Sequence, residues 1–564
     1  MTDFYIAKDG SSGGAGTVND PVLTIAQAVA LTGFTQPSTA HTLIFRGGTY
    51  STELALGAST EYVLKFVGIT ACNIKAATGE TVIFETPYSR QYLLGYTSVS
   101  NDTGAELNLT IDGIDFRNQS ITNDVYFGFF RFEPSTSAAD TIHFNIKNSS
   151  IVQGVGESNL ANGVVYSSGA QPDGTNFTLD NCIIDIKAQH VIQIRALKGA
   201  VTFKDCDITF SPPDDAVVAD VDFPFFLQQP NNTAATSSFK MEGSKLTYNC
   251  VELNSSQQVF QFDYVNEIRM NDNTLIINNH ANENNQNPLG EVIRTYNRPD
   301  SDVGVSGRAL MHFEFNKNVV IRNDGKGDLI HLSGPMLDSG VGSKFIFNDN
   351  EIIVTNDILR TQDALGKVAF IDSSNSDTVH IKRNKIRNHQ DGFFIRNSGA
   401  TEVLIEGNQF ENCGETVANN YLEPKMIELR DVGNGTNNVY ITDNTFDIGQ
   451  QQTCLYLSDN SDTTTRAIVN DNTFIKRDYH TVAGTTFCVH YSGIGGDGTQ
   501  HSFKGNTYLN MENLRTTRFV VYGGNLKTIA EGLAYDSEAH TSNAIKTLGT
   551  KSLVKPRLTK ILGT

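Results

Sequence analysis

A short motif, called the Asn phrase below, recurs along the chain. Two of its copies are Asn271-Asp272-Asn273-Thr274-Leu275 and Asn470-Asp471-Asn472-Thr473-Phe474. Further copies, with small changes, end at Ile352, Phe410, Phe446 and Tyr508. An internal repeat of this kind indicates stacked supersecondary units and settles the architecture before any local pattern is considered. The repeat therefore predicts a solenoid, and it says much less about what the solenoid does.

The third position of the phrase can be followed along most of the chain. Its spacing varies from 24 residues (Asn384 to Asn408) to 45 residues (Asn273 to Asn318). The residues assigned to this third position are Ser149, Asn181, Cys206, Ser244, Asn273, Asn318, Asn350, Asn384, Asn408, Asn444, Asn472 and Asn506. Such uneven spacing disfavours a blade-based propeller, whose units are more regular.

Short strands surround each phrase. Segments such as Phe313–Phe315 and Val439–Ile441 precede it and alternate with period two, which is typical of strands. A second apolar segment, for example Phe393–Arg396 or Cys454–Leu457, lies a loop earlier in each unit. Because no unit has room for a long amphipathic helix, we predict an all-β parallel β-helix of about 12–13 coils.

The repeated Asn has a physical explanation. A side-chain amide at a tight corner can bond to backbone groups and tolerates a left-handed conformation. When coils stack about 4.8 Å apart, successive amides can also bond to one another along the axis. The sequence therefore predicts an internal Asn ladder, with a set of exposed Asn-rich turns as the alternative.

Composition excludes several function classes. The 564 residues carry a formal charge of −19, which disfavours nonspecific nucleic-acid binding. There is no long apolar run, so no membrane span is expected. The start of the chain lacks the pattern of a signal peptide, which predicts synthesis in a cytoplasm without export by that route. The seven cysteines form no CxxC pair and are expected to be reduced residues of the core.

The first fifty residues carry a resemblance. Phe4–Gly10, Asn19–Val29 and Thr42–Tyr50 resemble the start of bacterial and phage right-handed β-helix proteins of the tailspike and polysaccharide-lyase type. In that group a first strand opens the coil and a short helix plugs its end. The resemblance implies a helix capped by Thr24. Its expected buried side consists of Ile25, Ala28, Val29 and Leu31.

Three regions are expected on this basis: residues 1–50 with the first strand and capping helix, 51–510 with the β-helix, and 511–564 with an irregular C-terminal cap and basic tail. Within the last region, Thr528–Ala539 is predicted to be helical. The tail after Ala539 contains lysines and an arginine without acidic residues. It either docks on an acidic partner or is a solvated terminus.

Candidate functional residues emerge when the second strand of each unit is aligned by its inward apolar residues. Outward side chains then fall into two columns. The candidate catalytic residues are Asp263, Arg294, Tyr296, His331, Asp372 and Glu428. The candidate substrate-binding residues are Arg396, Arg430, Asp431 and Tyr456. The alternative is a polar sheet face whose charges only form weak ion pairs.

These residue types suit two reactions on polysaccharides. A lyase needs a cation to neutralise a uronate and a group to move the proton, which Arg294, Tyr296, His331 and Arg396 offer. An inverting hydrolase needs two carboxyls roughly 6.5–9.5 Å apart. Two coils separate Asp372 from Glu428, or about 10 Å along the axis.

No cofactor is expected. The one metal site considered is Ca²⁺ on the acidic group formed by Asp214, Asp215, Asp220 and Asp222, with a solvated loop as the alternative.

Two main hypotheses of function remain open at this point. In the first, the chain is a phage tailspike or receptor-binding protein of the virion that recognises, and in some forms cuts, host surface polysaccharide. The resemblance implies a homotrimer attached to the tail or to an adaptor protein. In the second, it is a bacterial polysaccharide lyase or glycoside hydrolase. A non-catalytic adhesive solenoid is a third reading.

Overall fold

The structure is a computed structural model of the chain. It describes residues 2–31, 41–56, 62–67, 70–86, 92–97, 106–118, 128–133, 141–153, 163–167, 174–187, 190–195, 197–211, 224–228, 237–250, 258–279, 291–296, 310, 312–323, 327–333, 343–355, 366–372, 377–389, 391–396, 400–413, 425–430, 432, 438–448, 453–459, 466–476, 486–493, 502–509, 517–518, 521–522, 525–526 and 540–542.

Three long parallel sheets make up the solenoid, and they contain 16, 15 and 16 strands. Each strand pairs with the equivalent strands of the coils before and after it, so the sheets run along the axis. This arrangement confirms the predicted right-handed parallel β-helix. The predicted count of about 12–13 coils is too low, because the first coils lack the Asn phrase that was used for counting.

Sheet 1 contains the strands that precede the phrase. They are Thr2–Ser11, His41–Phe45, Thr70–Ala76, Glu106–Asp112, Thr141–Lys147, Thr175–Asp180, Gly199–Lys204, Ser238–Glu242, Glu267–Asn271, His312–Asn316, Lys344–Asn348, Thr378–Lys382, Glu402–Glu406, Asn438–Thr442, Arg466–Asn470 and Ser502–Lys504.

Sheet 2 contains the strands that begin within the phrase. They are Gly48–Tyr50, Val82–Thr86, Ile114–Asn118, Ser150–Val152, Ile183–Lys187, Asp207–Ser211, Lys245–Cys250, Thr274–Asn279, Val319–Arg322, Glu351–Val354, Lys385–Arg387, Gln409–Cys413, Thr445–Ile448, Thr473–Lys476, Thr507–Leu509 and His540–Ser542.

Sheet 3 contains the second apolar segment of each unit. Its strands are Tyr62–Val67, Tyr92–Thr97, Gly128–Glu133, Val165–Ser167, Ile192–Arg195, Phe225–Gln228, Phe260–Asp263, Ile293–Tyr296, Ile330–Ser333, Ala369–Asp372, Phe393–Arg396, Lys425–Arg430, Thr453–Asp459, Thr486–Gly493 and Thr517–Arg518. A two-stranded antiparallel sheet joins Val521–Tyr522 to Asn525–Leu526.

The predicted Asn ladder runs inside the corner between sheets 1 and 2. Asn408 is a typical member: its Nδ2 donates to Asn444 Oδ1 at 2.9 Å and to the carbonyl of Ile381 at 2.8 Å. Its backbone N–H donates to the same Asn444 oxygen at 2.9 Å. The contact repeats on successive coils from Asn273 to Asn506. The ladder therefore satisfies polar groups that the core would otherwise leave unpaired.

One predicted ladder position is wrong. Asn181 has a φ of 52° and is exposed, and its neighbour Cys182 is the buried residue at the ladder position. The left-handed conformation belongs to the second residue of the phrase, such as Asp272 with a φ of 58°. Asn suits both positions, since short polar side chains tolerate this conformation. The residue type alone therefore cannot separate them.

The N-terminal helix, Ile25–Leu31, has the predicted cap. Thr24 Oγ1 accepts the backbone N–H of Gln27 at 3.1 Å, and Gln27 Oε1 accepts the backbone N–H of Thr24 at 3.1 Å. This is a reciprocal capping box. Ile25, Ala28 and Val29 are buried as expected.

The predicted burial of Leu31 is wrong, since it is 48% exposed. Six residues of helix turn it about 120° away from Ile25 and off the buried stripe. A short 3-10 helix, Thr52–Leu54, follows the strand Gly48–Tyr50.

The core consists of apolar side chains stacked coil upon coil. Phe410, Phe446 and Phe474 form one such stack, with centroids 5.2 and 5.1 Å apart. The described cysteines at 72, 182, 206, 413 and 454 are buried, in agreement with the core role predicted for them. Within the described ranges, no helix combines the length and apolar character needed to cross a lipid bilayer.

Candidate functional site

The outward face of sheet 3 carries the candidate residues, and strand register confirms the two columns aligned from sequence. The first column reads Gln261, Arg294, His331, Phe370, Phe394, Glu428 and Tyr456. The second reads Asp263, Tyr296, Ser333, Asp372, Arg396, Arg430 and Ser458. The side chain of Tyr296 and the whole of Asp431 lie outside the described part of the chain. The functional roles of all these residues stay predictions.

A third polar column was missed by the sequence reasoning. It lies just before each strand of sheet 3 and consists of Gln258, Glu291, Asp328, Lys367, Asp391 and Lys425. Contacts join its neighbours: Gln258 Nε2 donates to Glu291 Oε2 at 3.1 Å, and the backbone N–H of Lys367 donates to Asp328 Oδ1 at 2.6 Å. The face is therefore three columns wide.

One end of this face, the acidic end, consists of Asp263, Glu291, Arg294, Asp328 and His331. His331 Nδ1 lies 2.9 Å from Asp328 Oδ2 and 3.4 Å from Glu291 Oε1. Arg294 Nη1 donates to Glu291 Oε2 at 3.2 Å. The ionisable side chains around His331 are 15–24% exposed, so solvent reaches a half-buried group of charges. Two carboxylates, an imidazole and a guanidinium therefore meet within two coils.

The imidazole of His331 is held in place by a stack of rings. It lies parallel to Phe370 with centroids 4.5 Å apart, and Phe370 lies on Phe394 at the same distance. The guanidinium of Arg430 covers the far end, 5.3 Å from the Phe394 centroid. Since Phe394 is buried, this stack stiffens the face and fixes the ring of His331.

The surroundings of Asp263 alter its ionisation. Burial raises the pKa of Asp263, and the hydrogen bond from Gln261 Nε2 and the charge of Arg294 oppose only part of that effect. The donor–acceptor distance from Gln261 is 3.0 Å. Among the described residues, the Oε1 of Gln261 is buried without a hydrogen-bond partner. An incoming hydroxyl group can satisfy such an acceptor.

The opposite end, the basic end, consists of Lys367, Arg396, Lys425 and Arg430 with their carboxylate partners. Arg396 binds Asp372 through two hydrogen bonds of 2.6 Å. Glu428 is buried and accepts hydrogen bonds from Arg430 at 2.7 Å and from Lys425 at 3.3 Å.

The ammonium of Lys367 binds the buried carboxylate of Asp391. Although burial lowers the pKa of Lys367, the charges of Asp391, Glu428 and Asp328 together raise it above its ordinary value. Lys367 therefore remains a cation throughout the physiological range.

The two carboxylates considered for hydrolysis are each held by their own cation. Asp372 and Glu428 lie two coils apart and one column apart, as the alignment predicts. Asp372 is bound by Arg396, and Glu428 is bound by Arg430 and Lys425. Both carboxylates are therefore engaged in ion pairs within the face.

The residues that could hold a metal ion in the structure are not the ones considered from the sequence. The acidic group from Asp214 to Asp222 lies outside the described residues. Within them, the ligand atoms of Glu291, Asp328 and His331 lie within 4.8 Å of one another.

No protein-family model and no curated protein sequence matches the chain. The chain is similar to several solved structures. A pectate lyase, Pel9A, is 13% identical over 68% of this chain and 79% of its own, with a TM-score of 0.34. A rhamnogalacturonan lyase is 11% identical over 71% and 84%, with a TM-score of 0.35. Tailspike protein 3 of Bacteriophage CBA120 is 10% identical over 96% and 62%, with a TM-score of 0.35. The strand pairing described above, rather than these likenesses, establishes the β-helix.

Proposed function

We propose that the outward face of sheet 3 binds an acidic polysaccharide of a cell surface and cleaves it by β-elimination. The observation that carries the proposal is the pair Arg396 and Arg430. These arginines are direct register neighbours on adjacent coils, about 4.8 Å apart along the axis, and both side chains are about half exposed. Although Asp372 and Glu428 pair with these arginines, the four cations of the basic end outnumber its three carboxylates, so the group keeps a net positive charge that attracts an anion.

The net charge of the whole chain shows why a local group of cations is needed. At a formal charge of −19, the protein as a whole repels a polyanion, so the attraction must come from a local group of cations. Arg396, Arg430, Lys425 and Lys367 form such a group. Guanidinium groups bind carboxylates through paired hydrogen bonds, which suits the uronate units of an acidic glycan.

Cleavage is assigned to the acidic end. In β-elimination, a base removes the proton next to the uronate carboxyl, a C=C bond forms, and the C–O bond to the leaving sugar breaks. Arg294 stabilises the negative charge that develops on the carboxyl group. Asp263, whose raised pKa keeps it protonated to higher pH, donates a proton to the leaving oxygen. Tyr296, its register neighbour, is the assigned base.

The test uses uronate-containing and neutral polysaccharides with the purified chain. We expect products with the ultraviolet absorbance of an unsaturated uronate, from acidic glycans only. Asp263→Asn is expected to abolish cleavage while binding is retained. New reducing ends without that absorbance would indicate hydrolysis and contradict the assignment of β-elimination.

A matched control exists for the binding residues. Arg383 binds Asp349 through two hydrogen bonds of 2.7 Å between adjacent coils, in the same geometry as Arg396 with Asp372, but at the corner between sheets 1 and 2. Arg396→Gln is expected to weaken glycan binding about tenfold, which corresponds to about 1.4 kcal/mol. Arg383→Gln should leave binding unchanged. Equal effects of the two changes would refute the binding face.

The proposed setting is a tailspike or receptor-binding protein of a phage particle, assembled as a homotrimer and attached to the tail or an adaptor. An outward column on sheet 1 supports side-by-side association. It reads Ile346, His380, Leu404, Tyr440 and Ile468, so its last three residues are contiguous apolar side chains, and Tyr440 is 40% exposed. Contiguous apolar side chains on a β-sheet surface are typical of contacts between proteins.

A further inference from the structure

We propose that Glu291, Asp328 and His331 bind a divalent transition-metal ion at the acidic end of the face. The three ligand atoms already lie close to a coordinating arrangement: Asp328 Oδ2 and Glu291 Oε1 are 2.9 and 3.4 Å from His331 Nδ1. Ligands held about 2.1 Å from a metal, at octahedral or tetrahedral angles, lie about 3.0–3.4 Å from one another. A small shift of the side chains therefore completes the site.

The other atoms of these ligands are held by neighbouring groups. Glu291 Oε2 accepts hydrogen bonds from Gln258 Nε2 at 3.1 Å and from Arg294 Nη1 at 3.2 Å. Asp328 Oδ1 accepts the backbone N–H of Lys367 at 2.6 Å. Each carboxylate thus has one oxygen fixed by the protein and the other turned towards the imidazole. Metal sites use this kind of outer support to orient their ligands.

Charge at this end also calls for a cation. Glu291 and Asp328 contribute two carboxylates, and Arg294 contributes one guanidinium. The nearby ammonium of Lys367 is bound to Asp391. A divalent ion between Glu291 and Asp328 offsets the excess negative charge, whereas the basic end of the face has no such excess.

The ligand types select the class of metal. Ca²⁺ prefers six to eight oxygen ligands, which this site does not supply. One imidazole nitrogen with two carboxylates suits Zn²⁺ or Mn²⁺, and three protein ligands leave a coordination position open.

The site makes His331 a metal ligand rather than the proton-moving residue expected from the sequence. A metal there would present its open position to a uronate carboxyl beside Arg294. This role in cleavage rests on the proposed function, whereas metal binding itself does not.

The experiment is calorimetric titration of chelator-treated protein with Zn²⁺, Mn²⁺ and Ca²⁺. We expect one Zn²⁺ per chain, with Ca²⁺ bound at least about 100-fold more weakly. His331→Phe preserves the ring stack on Phe370 and removes the nitrogen, so Zn²⁺ affinity should fall at least about 100-fold. Glu291→Gln should weaken binding as well, with circular dichroism of both variants unchanged.

His380→Phe is the matched control, because His380 Nε2 pairs with Glu402 at 3.4 Å on sheet 1 and no third ligand lies beside this pair among the described residues. It should bind Zn²⁺ like the unmodified chain. Absence of saturable Zn²⁺ binding, or equal affinity in His331→Phe and the unmodified chain, would overturn the proposal. If Zn²⁺ binds as expected but no glycan is cleaved, the metal site stands and the proposed reaction fails.

Discussion

Truncation of one ladder residue, Asn408→Ala, is the sharpest test of how the solenoid is held together. The Asn408 side chain donates to the Ile381 carbonyl and to Asn444, and its Oδ1 accepts both the backbone N–H and the Nδ2 of Asn384. Removal of this amide breaks all four hydrogen bonds. The backbone N–H of Asn384 and the carbonyl of Ile381 are then left buried without these partners.

The magnitude follows from those two backbone groups. A buried donor or acceptor that loses its partner costs about 1–3 kcal/mol, so Asn408→Ala should cost about 3–6 kcal/mol once the lost amide–amide contacts are included. Asn408→Ser is expected to lose less stability than Asn408→Ala, because Ser244 already fills a ladder position and accepts the backbone N–H of Cys206 at 3.0 Å. Asn408→Asp should be worse than Ser, since it brings a carboxylate oxygen against the Ile381 carbonyl.

The assay is urea denaturation combined with amide hydrogen exchange. Solenoids can unfold in parts, so exchange at the Asn384 amide reports the local effect that a global midpoint would average. The control is Asn278→Ala, which removes one half-buried hydrogen bond, from Asn278 Nδ2 to Asn249 Oδ1 at 2.9 Å. It should cost about 1 kcal/mol. If both changes cost the same, the ladder is not a main source of stability and the reasoning fails.

Three further outcomes are expected. His389 is fully buried, and burial lowers its pKa to about 3. Its neutral form therefore stabilises the fold above pH 6.5, and this stability is lost as pH falls from 6.5 towards about 3. His389→Gln should flatten the pH dependence of the unfolding free energy; an unchanged slope would contradict this. Thr24→Ala should cost about 1 kcal/mol at the N-terminal helix and speed exchange of the Gln27 amide, whereas Thr24→Ser should not. Lysine at both Leu404 and Tyr440 should convert a trimer into monomers by light scattering, and a mass unaffected by the change would exclude this strip as the interface.

Much of the fold was predictable because its decisive features are periodic. Alternation in segments such as Phe313–Phe315 identified sheet 1, and the apolar segments identified sheet 3 in the correct register. The coil count failed at the N-terminal end, where the ladder has not begun. At Ile114, the backbone N–H bonds to Ser149 on the next coil, and Gly113 is the left-handed residue of the turn. Nothing in that turn looks like the later Asn phrase.

The candidate site was only partly predictable, for a geometric reason. Sheet 3 follows a corner at which two successive residues point inward, such as Val292 with Ile293 and Leu329 with Ile330. Period-two alternation breaks there, so a residue just before the pair has no assigned side in a sequence pattern. Glu291 occupies that position. Only the register of neighbouring coils brings it beside His331, and the same register makes a convergent group from residues that the chain separates by long loops.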